Sequence, residues 1–145
     1  MSVTESFLVD EAGLETLISG FRNGSWPGRE FRHTAHLAVC VCYILEGNHP
    51  MERLRFAICR YNESQGGKNT VDAGYHETIT RFWVDTVREA IQSMPPGLTR
   101  LEIAREVVGR FASQRDLFQK YYDFDVLKSR EARAVWIPPT VKVRR

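Results

Sequence analysis

Apolar residues recur at spacings of three and four along most of the chain, and no stretch alternates as a half-buried strand would. The pattern predicts an all-α fold, a single-domain bundle of about five helices with an irregular C-terminal segment. Asp10 is placed to cap a first helix with the stripe Leu14, Leu17, Ile18 and Phe21, and Gly20 and Gly24 stand near its end. A connector around Trp26-Pro27 leads to a second helix that begins near His33 and stops at Gly47, with His33, His36, Leu37, Cys40, Tyr43 and Ile44 on one face. Asn48 or His49 then caps a third, opened by Pro50 and carrying Met51, Leu54, Ile58 and Tyr61, and Gly66-Gly67 closes it.

The fourth helix is expected to start between Thr70 and Tyr75 and to run to Pro95-Pro96-Gly97, with Ile79, Thr80, Trp83, Val87, Ala90 and Ile91 inward. Thr99 with Glu102 forms a capping box for a fifth, whose stripe is Leu101, Ala104, Val108 and Phe111. Past residue 115 the pattern weakens: "LFQKYYDFDVL" is aromatic and partly helical, Ser129 can cap a short turn through "REARAVW", and Pro138-Pro139 ends regular structure.

A length of 145 residues suits one domain, residues 1–145, with a proper core. Apolar residues at 43% and charged residues at 26% are ordinary globular usage, which argues against disorder or a coiled coil. The longest apolar run, Leu37 to Leu45, is about half of a membrane span, and no targeting segment is visible, so no membrane partner is expected. Cys40, Cys42 and Cys59 form no C-x-x-C pair; an odd set of this kind fits reduced thiols and a cytoplasmic location.

The net charge of +2 hides an asymmetry, with eleven Lys/Arg against six Asp/Glu in residues 100–145. These cations are interleaved with acids and form no reading module, which points to a solvated helix face rather than a nucleic-acid partner.

The histidines change the picture most. Short connections make consecutive helices antiparallel, so the second and fourth start at the same end of the bundle. His33 and His36 open the apolar face of one, and His76 lies one turn before Ile79 on the other. The last turn of the third helix brings Arg60, Tyr61 and Glu63 to that end, while His49 belongs to the opposite pole. His33, His36, His76 and Glu77 are together a nitrogen-and-oxygen donor set of the kind that Zn, Fe, Mn or Ni accepts. Glu77 or Glu63 would then serve as ligand or general base, with Arg60, Tyr75 and Tyr61 contacting a small-molecule ligand. Cys40 shares the His33/His36 face about one turn deeper, and Trp83, Phe82, Tyr43 and Tyr61 are candidates to line an apolar pocket.

Phe31, His33, His36 and Leu37, then Tyr75 through Thr80, then Ser129, Glu131, Ala132 and Arg133 form the series F-x-H-x-x-H-L, Y-H-E-T-I-T and S-x-E-A-R. On these motifs the chain resembles a family of uncharacterised small bacterial proteins. The resemblance implies that His33, His36 and His76 belong together, and it names no reaction. An aspartate would follow the C-terminal proline in such relatives, where this chain has Thr140.

The expected function is therefore a His/Glu polar pocket at one end of a bundle, in a small divalent-metal-dependent enzyme. Two alternatives stand beside it. One is a non-catalytic module that holds a small acid; the other is an interaction protein with structural histidines and a working basic C-terminal region that includes Arg130, Arg133 and Arg144.

Overall fold

The apolar run that begins at Leu37 becomes the central helix of the bundle. In the computed structural model, which describes residues 5–143, α1 spans Glu11–Asn23, α2 His33–Glu46, α3 Pro50–Ser64, α4 Glu77–Gln92, α5 Arg100–Phe111 and α6 Arg130–Ala134. No strand occurs among the described residues, and none of the helices is long and apolar enough to cross a membrane. Packed by α1, α3, α4 and α5, α2 is buried from Leu37 through Tyr43 rather than along one stripe. A helix enclosed on all sides has no solvent face, so an unbroken apolar run suits it. Leu37, Val39 and Val41 each contribute about 1.5–3 kcal/mol by leaving water.

The helix boundaries follow from local chemistry. Asp10 accepts a hydrogen bond from the Gly13 N–H at 2.7 Å, and Gly24 ends α1 in the left-handed region at φ +82°. Thr99 and Glu102 exchange both bonds of a capping box. Ser129 accepts from the Ala132 N–H at 3.0 Å.

The fourth helix differs from expectation. It begins at Glu77, after a loop that folds back along α3 and is tied to it by the Asn69 side-chain amide, which donates to the Cys59 carbonyl at 2.9 Å. Gly74 sits in this loop at φ +83°, where a side chain would also collide with the Lys68 carbonyl, so a helix cannot start earlier.

Beyond α5 the chain passes a 3-10 turn at Leu117–Tyr121 and wraps over α4. Phe82, Phe118, Tyr122, Val126 and Ala132 make a second, smaller core there. Thr78, fully buried, fastens this wrap. Its hydroxyl donates to the Val135 carbonyl at 2.8 Å and accepts from the Ile137 N–H at 3.0 Å. The basic residues of the wrap have local work as well: Arg130 pairs with Asp72 at 2.8 Å, and Arg133 donates to the Gly74 carbonyl at 2.8 Å. Arg144 lies outside the described residues.

Candidate functional site

A cavity of about 960 Å³ opens between the first turn of α2, the inner face of α3, the loop before α4, and the start of the C-terminal wrap. His33, His36 and His76 all line it, as do Tyr61 and Tyr75. The pole expected from helix directions therefore exists. The three imidazoles occupy it in quite different ways.

His76 is the N-cap of α4 and is buried. Its Nδ1 accepts the Ile79 N–H at 3.2 Å, so the ring proton resides on Nε2, which donates to the Val126 carbonyl at 2.9 Å. Both nitrogens are committed. Burial lowers its pKa from the ordinary histidine value; the bond to Val126 opposes this and the charge of Arg133 adds to it.

His33 donates from Nε2 to the Phe111 carbonyl at the end of α5, at 2.9 Å, and rests against Trp83 with ring centroids 4.9 Å apart. Trp83 stands seven residues beyond His76, about 10 Å further along α4 at 1.5 Å per residue, which separates the two rings along the helix axis. The His33 pKa is lowered as well, by burial first, with the Phe111 bond opposing and Arg115 adding to the drop.

His36 leans on Phe31, with ring centroids 4.1 Å apart and ring planes tilted by 34°, and has no hydrogen-bond partner among the described residues. It lies deep in the molecule, yet its surface is exposed, because the cavity opens along the ring. Burial lowers its pKa to about 4, helped by repulsion from His33 and Arg115. The ring is therefore neutral at pH 7, and its nitrogens remain available to a ligand.

Glu77 turns away from all three. Arg55 grips its carboxylate with two bonds, at 2.8 and 2.6 Å, and the Tyr75 hydroxyl adds a third at 2.5 Å. Burial pushes the carboxyl pKa up, but these donors outweigh it and hold the group below the usual carboxylate range. The assembly faces a separate recess of about 520 Å³ that also contains Cys59 and Arg133. Glu63 is exposed and reaches only the Asn69 amide, at 3.4 Å, and Arg60 is exposed and lines neither space. Among the described residues, no group of three or more His, Cys, Asp or Glu side chains is arranged to hold a metal ion.

The remaining polar walls are likewise engaged. Tyr61 donates its hydroxyl to the Trp26 carbonyl, the Asn62 amide donates to Asn69 at 3.0 Å, and Gln65 bridges the Gly24 carbonyl and the Gly28 N–H at 2.8 and 3.0 Å. Cys40 lines the floor, where burial raises its thiol to about 12 and keeps it protonated and inert. Tyr43 and Phe82 pack elsewhere, in the main and the smaller core. Around the mouth stand Arg32, Lys68 and Arg115, exposed and without an ion pair among the described residues, with the acid Asp116 beside them. Arg32, Lys68 and Arg115 carry no periodic signal and were not legible from the apolar pattern. No family model, no curated protein and no solved structure matches the chain.

Proposed function

We propose that the protein is a binding module for a small acid, which it takes into the cavity beside His36. The observation that supports this best is the state of that ring, an imidazole open to a large cavity that Arg115 also lines, with neither side chain hydrogen-bonded or ion-paired among the described residues. An anion arriving there meets a guanidinium and a ring that can accept a proton in response. It also meets the N-terminus of α2, where no side chain caps the free N–H groups.

The divalent-metal enzyme is the alternative, favoured by the presence of three imidazoles on one cavity. It requires His76 to give up either its cap or its bond to Val126, and Glu77 to leave Arg55 and Tyr75. Giving up the cap would leave the Ile79 N–H unpaired, at a cost of about 1–3 kcal/mol, and moving Glu77 would break three bonds to its carboxylate; the Val126 carbonyl alone would keep a partner, the Ser129 N–H.

Melting curves in the presence of a chelator separate the two. A panel of small carboxylic acids is expected to raise the melting temperature of the wild type, by an amount equivalent to about 2.7 kcal/mol for an acid at one hundred times its Kd. The His36→Ala variant should melt like the wild type without acid and lose most of that rise. If no acid protects, and Zn, Mn, Fe or Ni does so in the absence of chelator, the module gives way to the metal reading.

A further inference from the structure

The walls of the cavity restrict what the acid can look like. We infer that the occupant is an amphipathic monocarboxylate, with its one acidic group between His36 and Arg115 and an aromatic or aliphatic body on the floor of the cavity; this rests on the acid-binding reading proposed above.

The floor is the first argument. Leu54, Ile58, Ile79, Trp83 and Phe118 come from three separate parts of the chain to line it, and none offers a hydrogen-bonding group apart from the Trp83 ring N–H. A volume of about 960 Å³ stands near the top of the range of roughly 300–1,000 Å³ typical of small-molecule sites. Such a space rewards a ligand that fills it with apolar surface, at about 25 cal/mol per Å² removed from water.

The polar inventory is the second. Tyr61, Tyr75, Asn62 and Gln65 direct their donors into the protein, as do His33 and His76. A sugar-like or nucleotide-like ligand would lose its water partners and find few replacements, a cost that falls on every buried hydroxyl.

Charge is the third. Among the mouth cations, Arg115 alone acts electrostatically on both His33 and His36. Arg32 and Lys68 line the cavity and are as exposed as Arg115, but neither acts on the two rings. One guanidinium and one imidazole match one carboxylate; the further charges of a polyanion would meet only Arg32 and Lys68, exposed at the rim, where attraction is weak and screened.

Isothermal titration calorimetry of the wild type with octanoate, 4-phenylbutyrate, 1-octanol, citrate and inorganic phosphate tests this directly. Octanoate or phenylbutyrate is expected to bind at least about tenfold more tightly than octanol, which lacks the head, and than citrate or phosphate, which lack the body. Whichever of the two acids binds better identifies an aliphatic or an aromatic body. Arg115→Gln, a change at an exposed side chain that has no hydrogen bond among the described residues, should weaken the better acid about tenfold with the melting temperature unchanged. Citrate or phosphate binding as well as octanoate and phenylbutyrate would overturn the amphiphile and leave an acid pocket standing. Octanol binding as well as octanoate, or no binding by any of the five, would overturn both.

Discussion

Replacing His76 by alanine is expected to destabilise the protein by about 2 kcal/mol, a larger loss than any other single histidine change should cause. Two contributions combine. The ring is the only side-chain cap on α4, and loss of an N-cap costs roughly 1 kcal/mol. The same ring donates to the Val126 carbonyl in the second core; the Ser129 N–H also donates to that oxygen, at 3.2 Å, so loss of the ring's bond costs only about 1 kcal/mol more. His76→Asn separates the contributions, because asparagine is a good cap but too short to reach Val126. It should recover about 1 kcal/mol of the loss. Urea unfolding of the three proteins measures the differences; equal stability of alanine and asparagine variants would show that the cap contributes nothing.

Acid is the second large effect. In the unfolded chain each histidine takes up its proton around pH 6.5, whereas His33, His36 and His76 in the folded protein resist it and titrate lower. As pH falls through 6.5 the unfolded state therefore binds more protons than the folded one, and stability drops; above that pH it is fully present. His33 and His76, each lowered by burial while bonded to a carbonyl, both contribute to the loss between pH 7.5 and pH 5. The carboxylates Glu46 and Glu77, held below their usual range by arginine partners, add their own loss only below about pH 4.5. Thermal unfolding at half-unit steps of pH should show a decline that starts near 7 rather than near 5. A flat profile from 7.5 to 5 would mean that these imidazoles are not held neutral by the fold.

Much of the architecture was legible in the spacing of apolar residues and caps. Asp10, Pro50, the Thr99/Glu102 box and Ser129 mark helix starts because each satisfies, or in the case of proline removes, a backbone N–H that has no partner at that point. The start of α4 was not legible, because Gly74 and the Asn69 tether act through backbone conformation and a contact to α3 that no helical period records. That same fold-back shifts α4 along α3, so that Glu77 meets Arg55 instead of the Arg60–Glu63 turn.

At the site, periodicity placed His33, His36 and His76 on inward faces at one end, and the cavity does gather them. It gave no hint that two of the rings are claimed by main-chain oxygens. The acceptors belong to Phe111 and Val126, whose carbonyls any residue would present equally, so their role leaves no trace in side-chain pattern. Arg115 was hidden for a related reason. It occupies an irregular turn after α5, where three-dimensional placement alone brings it to the mouth.

The division of labour among the imidazoles is the central claim, and nitrogen-15 spectra of the histidine rings test it most directly. At pH 7, His33 and His76 should each appear as the neutral tautomer protonated on Nε2 and stay in place when octanoate or zinc is added. The nitrogens of His36 alone should move with octanoate. If octanoate leaves His36 unmoved, or zinc shifts all three rings together, the cavity is not the acid pocket described above.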